Sequence, residues 1–229
     1  MADQFDEFLE EVQQDIKQEK YLKLWKKYGR YASTAAVSLL AAAALSMFWQ
    51  NYQKKKQVEL SDAFFTAQNY IAQNRVQEAF AILDAMKAND QEAYGYLRNF
   101  QKAALLLSKD NKESKQEAIA LYQKLANDGV LPLHIKEYAT FLLAKTVYDS
   151  NFKKPEEVIE MLSPLCDDKK PWRFFALELT GLILYKQGKY KESLEVFAAL
   201  VKQENLPEGL RMRCQMMVQL ANQNVQFKS

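Results

Sequence analysis

An uncharged stretch of membrane length is the feature that most constrains this chain. No charged residue stands between Arg30 and Lys54, and residues 31–49 are almost wholly Ala, Leu, Val, Ser, Thr and aromatic. Nineteen helical residues rise about 28 Å, close to the roughly 30 Å hydrocarbon thickness of a bilayer. Aromatic residues, which favour the headgroup level, flank the stretch: Trp25, Tyr28 and Tyr31 on one side, Phe48, Trp49 and Tyr52 on the other. We therefore predict a transmembrane anchor over residues 31–53.

Two other interpretations of this stretch stay open. Its seven alanines and three serines make it modestly hydrophobic for a membrane span, and Ala42 and Ala44 resemble the small-residue cleavage site of a signal peptide. However, a signal peptide has a short basic start, whereas thirty residues rich in Asp and Glu come first here. A buried hairpin of a soluble protein is the remaining alternative. The uncleaved anchor is favoured.

The distribution of Lys and Arg predicts how this anchor is oriented. Positive residues close to a membrane span are retained on the cytoplasmic side. Six precede the span at Lys17, Lys20, Lys23, Lys26, Lys27 and Arg30, and three follow it at Lys54, Lys55 and Lys56. We therefore expect a cytoplasmic N-terminus and a C-terminal domain on the opposite side of the membrane.

Residues 1–30 have the pattern of a cytoplasmic amphipathic helix. Their charge changes from acidic between Asp3 and Asp15 to basic between Lys17 and Arg30. Apolar residues recur at helical spacing, at Phe5, Phe8, Leu9, Val12 and Ile16. The segment either lies solvated with its basic part near anionic lipid or docks a partner on the cytoplasmic face. The narrow apolar stripe favours the first of these.

The composition predicts an all-α fold. The chain contains 6 Gly and 5 Pro among 229 residues, with 48% hydrophobic and 26% charged. These values argue against disorder, and a β-sandwich or dinucleotide-binding domain of this size would need more glycine. The net charge of +2 gives no reason to expect nucleic acid as a partner. From Leu60 onward, apolar residues recur at i, i+3, i+4 and i+7 over short helices separated by turn residues.

Four segments of this second part resemble one another. They are residues 76–80, 114–119, 155–159 and 190–194, and they align on Ala79, Ala118, Val158 and Ser193, which are 39, 40 and 35 residues apart. A bulky residue follows four positions later, at Leu83, Tyr122, Leu162 or Phe197, and another three positions further on, at Met86, Leu125, Leu165 or Leu200. Each segment is expected to open the second helix of a pair.

This arrangement resembles the tetratricopeptide repeat. The last repeat matches best, because the family's glycine, aromatic, turn, aromatic, small and aromatic positions are occupied by Gly181, Tyr185, Gly188, Tyr190, Ser193 and Phe197. The first three repeats are degenerate and longer than the regular period. The predicted fold class is therefore all-α, a single N-terminal transmembrane helix followed by a tetratricopeptide-repeat-like α-solenoid. The solenoid would cover residues 54–229, with about four helix pairs and a capping helix from Pro207 to about Asn222.

The sequence predicts binding and not catalysis. Stacked helix pairs curve and offer a concave surface, here built by residues 60–203, for peptides or partner proteins. No GxSxG, HExxH or P-loop motif occurs, and the single His134 has no Cys or His nearby to complete a metal site. The acidic pairs Glu156-Glu157 and Asp167-Asp168 stand at helix starts or breaks, where carboxylates cap helices. We expect no catalytic residue, cofactor or metal, and the partner-binding residues stay unknown.

The two cysteines, Cys166 and Cys214, are too far apart for a CxxC motif. Both stand at apolar positions, which favours separate buried thiols. A disulfide between them is the alternative if the domain lies in an oxidising compartment.

The order of these parts resembles a known bacterial family. The residues that carry the resemblance are 24–31, Leu-Trp-Lys-Lys-Tyr-Gly-Arg-Tyr, and 48–53, Phe-Trp-Gln-Asn-Tyr-Gln, on either side of the Ala/Leu/Val span. Together with the repeats they resemble the YfgM-like ancillary subunits of the SecYEG translocon. The resemblance implies a single-pass inner-membrane protein with a periplasmic repeat domain. Its implied partners are SecYEG, a PpiD-like periplasmic chaperone and secreted polypeptides, and no site residue transfers.

Alternatives from other classes remain. A repeat-containing import receptor in an organelle's outer membrane would show its repeats to the cytosol, against the charge distribution. An envelope adaptor, enzyme or regulatory subunit unrelated to the translocon would need partners or titratable groups that the sequence does not identify. Within the span, Ala35, Ser38, Ala42 and Ser46 lie on roughly one face and would permit close packing on another membrane helix, unless they merely fill a short span.

Overall fold

The computed structural model describes the backbone of residues 2–90 and 92–228, which forms two compact units, residues 1–59 and 60–229. The α-helices of the described residues are α1 (Ala2–Ala72), α2 (Val76–Ala85), α3 (Ala93–Leu107), α4 (Lys112–Ala126), α5 (Leu133–Asp149), α6 (Pro155–Leu162), α7 (Arg173–Lys186), α8 (Tyr190–Val201) and α9 (Glu208–Lys228), with a 3-10 turn at Ser163–Leu165. The side chains of residues 2–21, 23, 24, 32, 36 and 228 lie outside the description, and so does the predicted apolar stripe from Phe5 to Ile16.

Helix α1 is continuous over 71 residues. No glycine stands between Gly29 and Gly95, and no proline precedes Pro132, so the sequence offers no helix breaker in this region. An 18-residue window of this helix has a mean hydropathy of 1.6, and none of it is buried. Leu40 and Phe48, for example, are 71% and 72% exposed. The helix is long and apolar enough to cross a membrane.

Hydroxyl groups in this apolar part of α1 bond back to the helix itself. The Thr34 hydroxyl donates to the carbonyl oxygen of Arg30 at 3.0 Å, and the Ser46 hydroxyl donates to that of Ala43 at 2.8 Å. Such bonds to the preceding turn satisfy these two hydroxyls without water. The span is therefore compatible with lipid despite its serines and threonines.

The second unit is built from helix pairs. The end of α1, residues 60–72, pairs with α2; α3 pairs with α4, α5 with α6 and α7 with α8, and α9 comes last. Each turn inside a pair contains one residue with positive φ: Asn74 (59°), Asp110 (49°), Asn151 (54°) and Gly188 (77°). Asn, Asp and Gly tolerate this left-handed conformation best. The turn is therefore a repeated element of the array.

The second helices bury the residues on which the repeats align. The small or slim residues are fully buried: Ala79, Ala118, Val158 and Ser193. The bulky residues that follow them are also buried: Leu83, Tyr122, Leu162 and Phe197. The third position of the pattern, Met86, Leu125, Leu165 and Leu200, is buried as well. The predicted second-helix core is confirmed.

Each first helix also carries a small buried residue at the close approach of the pair. These are Ala67, Ala103, Ala144 and Gly181. In the last pair the Ser193 hydroxyl donates to the Gly181 carbonyl at 2.9 Å, and a Cβ on Gly181 would lie 2.8 Å from the Phe197 ring. Only glycine leaves room for that ring.

The capping helix is longer than the sequence predicted. We expected it to run from Pro207 to about Asn222, whereas α9 continues to Lys228. Residues 223–227 contain no glycine or proline, and Asn224 donates a hydrogen bond to the Tyr185 hydroxyl at 3.0 Å. The side-chain contact with α7 and the absence of a breaker extend the helix.

Candidate protein-binding face

One face of the first helices stays partly accessible along the whole array. We define this first-helix face by the residues three before, one after and four after each small buried residue, which share a side of the helix. Its members are Phe64, Gln68 and Ile71 on α1; Phe100, Ala104 and Leu107 on α3; Phe141, Lys145 and Tyr148 on α5; and Glu178, Leu182 and Tyr185 on α7. None of them is fully buried.

The first three repeats share a motif on this face that the sequence analysis missed. Phenylalanine stands three residues before the small residue in Phe64–Ala67, Phe100–Ala103 and Phe141–Ala144, whereas the fourth repeat has Glu178 before Gly181. The repeats were aligned on their second helices, so this signal in the first helices was not used. A search for Phe-x-x-Ala between the turns would have found it.

The phenylalanines connect consecutive first helices. The ring of Phe64 lies 6.0 Å from that of Tyr94, Phe100 lies 5.2 Å from Tyr138, and Phe141 lies 6.2 Å from Phe175. These centroid distances are typical of favourable aromatic pairs. Each of the first three repeats therefore joins the next through an aromatic junction.

Two members of the face, Phe100 and Phe141, form an aromatic patch together with the neighbouring Tyr138, Trp172 and Phe175. Tyr138 and Trp172 stack with centroids 4.4 Å apart and an interplanar angle of 26°. The Trp172 Nε1 donates to the carbonyl oxygen of His134 at 3.1 Å, which fixes the indole. All five rings are half-buried, so each keeps an accessible edge. Rings held in this way present apolar surface at little entropic cost to a bound chain.

The fourth repeat ends the face with polar contacts. The Arg213 guanidinium on α9 binds Glu178 through two hydrogen bonds, Nε to Oε1 at 2.7 Å and Nη2 to Oε2 at 3.1 Å. The Glu178 carboxylate is thereby held where the other repeats place a ring, and its hydrogen bond with Arg213, helped by its charge, raises the pKa of Arg213. At this position of the face, the contact between α7 and α9 is therefore ionic.

His134 and the acidic pairs singled out from the sequence occupy helix ends and turns. His134 is exposed in the first turn of α5. The Glu157 carboxylate accepts from the backbone N–H of Lys154 at 3.4 Å, and Asp168 pairs with Arg173 at 2.9 Å. Among the described residues no group of three or more His, Cys, Asp or Glu is placed to hold a metal ion.

Both cysteines are free thiols in the structure. Cys214 is fully buried, which raises its pKa to about 11, and burial likewise raises the pKa of the half-buried Cys166. A reactive cysteine has a lowered pKa, because the thiolate is the nucleophile. The environment of these thiols is therefore that of structural residues.

Comparison with known proteins identifies the family. Residues 23–219 match the tetratricopeptide repeat-like domain, so the match includes both the apolar part of α1 and the helix pairs. The chain belongs to the tetratricopeptide repeat-like domain family. Members of this fold class typically act as protein-binding scaffolds. No curated protein sequence matches the chain significantly.

Two solved structures share the fold of this family member. Both are crystal structures of the nearly identical TPR-like repeats of a protein described as a kinesin light chain of Podosopora anserina. A single-substitution variant aligns with a TM-score of 0.56 and 16% identity, over 72% of this chain and 86% of that chain. The other aligns with a TM-score of 0.55 at the same identity and coverage. This similarity supports the helix-pair architecture.

Proposed function

We propose that this protein is a membrane-tethered protein-binding scaffold at the Sec translocon, linking translocating or secreted polypeptides to periplasmic chaperones. The observation that carries the proposal is the combination, within one family match, of an exposed membrane-length helix and a repeat array with an accessible aromatic patch. The protein would cross the inner membrane once, with its N-terminus in the cytoplasm and its repeats in the periplasm. Residues 1–30, 31–53 and 54–229 would be the cytoplasmic helix, the anchor and the periplasmic domain.

The partners follow from the resemblance of residues 24–31 and 48–53 to the YfgM-like family. These partners are SecYEG in the membrane, a PpiD-like chaperone beside it, and the emerging polypeptide. Unfolded secreted chains expose apolar and aromatic side chains, which suit the half-buried rings of the aromatic patch. Each contact is weak, and tethering raises the effective concentration enough for transient capture and handover.

The first experiment tests topology. Spheroplasts expressing the full chain with a C-terminal epitope are treated with protease, and a periplasmic and a cytoplasmic protein are followed as controls. We expect digestion of the epitope with protection of an N-terminal tag. Protection of the C-terminal epitope, while the periplasmic control is cut, would contradict the translocon proposal and favour a cytoplasmic scaffold.

A second experiment tests the first-helix face. A photo-crosslinking amino acid replaces Ala104, which is exposed on the face of α3, or Ala120, which is exposed on the second helix α4. We expect crosslinks from position 104 to a secreted chain arrested during translocation or to the chaperone, and far fewer from position 120. Equal crosslinking from both positions would show that this face is not the binding surface.

A further inference from the structure

The last helix of the array has apolar residues on two opposite faces. Leu210, Cys214 and Ala221 are buried on one face, and Leu210 and Cys214 share a cluster with Phe197 and Leu200 of α8. On the other side lie Met212, Met216, Leu220 and Phe227, which are 55%, 58%, 44% and 89% exposed. Because they recur at helical spacing, they form one outer stripe of α9.

After Arg213, the sequence of α9 leaves this stripe without charge. No Asp, Glu, Lys or Arg stands between Cys214 and Phe227, and the polar residues among the apolar ones are Gln and Asn. The terminal helix of a solenoid normally presents a polar outer face, since it must keep the array soluble and closed. An apolar, uncharged outer face on the end helix is therefore typical of a surface that another helix covers.

We propose that the outer stripe of α9 pairs with the same stripe of a second copy of this chain, in an antiparallel, two-fold symmetric contact. The lack of charge on the stripe is the reason for choosing a second copy as its partner. An isologous contact opposes each residue with residues of the same stripe, and an uncharged stripe brings no like charges together. Antiparallel packing also sets the positive end of one helix dipole near the negative end of the other.

The size of the contact predicts its strength. A helix of 21 residues is only about 32 Å long, so two such helices bury an area in the class of transient interfaces, below about 1,200 Å². The pair is therefore weak between free molecules and populated when both copies are held in one membrane. This gain from tethering rests on the proposed membrane function.

The test uses the full chain in its membrane, expressed with two different epitope tags. A photo-crosslinking amino acid replaces Phe227, and the matched control places it at Phe65, which is 61% exposed on α1. We expect a crosslinked product of twice the chain mass that carries both tags from position 227 and not from position 65. Absence of this product, or a product with another protein only, would overturn the proposal.

Charge variants then test self-pairing. Met216→Lys with Leu220→Lys gives a basic stripe, and Met216→Glu with Leu220→Glu gives an acidic one. Each variant alone should lose the self-crosslink by about tenfold or more, because like charges then face each other, while the two variants expressed together should regain it. No regain in the mixed sample would contradict a contact of the stripe with itself.

Two controls show whether loss of the self-crosslink comes from misfolding or from failure of the proposed membrane function. The altered side chains are exposed, so thermal unfolding followed by circular dichroism should be unchanged; if it is not, Phe227→Gln with the crosslinker at Met212 replaces the double variants. The self-crosslink requires neither the translocon nor the chaperone. Its loss would therefore leave the crosslinks from position 104 intact, and failure of those crosslinks would leave the self-crosslink intact.

Discussion

The first three repeats and the fourth differ in how their first helices meet the next. In the first three, Phe64, Phe100 and Phe141 reach the following first helix through ring contacts. In the fourth, Glu178 reaches α9 through a two-bond pair with Arg213. The same structural position thus supplies an apolar junction three times and an ionic one once.

The core of a repeat and its exposed face follow the family pattern to different degrees. The fourth repeat follows the family pattern most closely in its core, where Gly181, Ser193 and Phe197 stand, yet it departs from the other three on the first-helix face. The identity of a core residue is constrained by the close approach of two helices, whereas that of a face residue is constrained by contacts with the neighbouring helix and with bound partners. Agreement with a family pattern therefore indicates packing and says little about the binding surface.

The largest effect is expected from breaking an aromatic junction. Phe141→Ala removes the ring from a cluster that includes Val147 and Leu162 and from its contact with Phe175. We expect the free energy of unfolding to fall by about 3 kcal/mol, measured by denaturant titration. Glu178→Ala, at the same position of the fourth repeat, should cost about 1 kcal/mol. Equal losses would contradict the distinction between the junctions.

The next effect concerns the glycine that distinguishes the fourth repeat. Gly181→Ala places a Cβ within 2.8 Å of the buried Phe197 ring, so we expect a loss of about 2 kcal/mol from overpacking. Gly209→Ala, in the first turn of α9, meets nothing within 4 Å and should instead gain up to about 0.5 kcal/mol from helix propensity. Thermal melts of the two variants in opposite directions would confirm the close approach; a neutral Gly181→Ala would refute it.

A smaller effect is expected from the ionic junction. Arg213 is about half exposed, so Arg213→Ala should cost less than about 1 kcal/mol, and the cost should shrink as salt is raised. Phe141→Ala provides the comparison, since its cost should not depend on salt in this way. Denaturant midpoints at low and high ionic strength measure both, and a salt-independent loss for Arg213→Ala would exclude an electrostatic junction.

The smallest effect is a pH dependence carried by Asp90, in the turn between the first two pairs. Burial alone would raise its pKa, but hydrogen bonds from Lys124 and Asn99 and the charges of Lys124 and Arg98 lower it below the ordinary 3.8. The unfolded chain therefore binds this proton more readily than the folded one, and stability should fall as the pH drops below about 4.

Asp90→Asn is the matched variant for this prediction. It should be less stable at neutral pH and should show a flatter acid limb, because the titrating group is gone. Denaturant midpoints between pH 3 and pH 6 measure the slope. An unchanged acid limb would show that other carboxylates carry the pH dependence.

The second-helix core could be predicted from the sequence because one local pattern specifies it. A small residue followed by bulky ones four and seven positions later has the same meaning in every repeat, as Ala118, Tyr122 and Leu125 illustrate. The Phe-x-x-Ala motif of the first helices was equally readable, but it does not show that a ring such as Phe141 stays half-buried, because no pattern separates partly accessible aromatics from core ones. The outer stripe of α9 was hidden for a related reason: apolar residues on both faces do not reveal which face is covered.

The left-handed turns have a consequence for how this chain tolerates mutation. Asn74, Asp110 and Asn151 each carry the backbone cost of a positive φ, which Gly188 avoids. Glycine, however, loses more conformational entropy when the chain folds. This entropy loss and the backbone cost of positive φ are of similar size, about 1 kcal/mol. Exchange among Asn, Asp and Gly at these turns is therefore nearly neutral for stability. Within one molecule the array already samples all three, as expected of positions open to genetic drift.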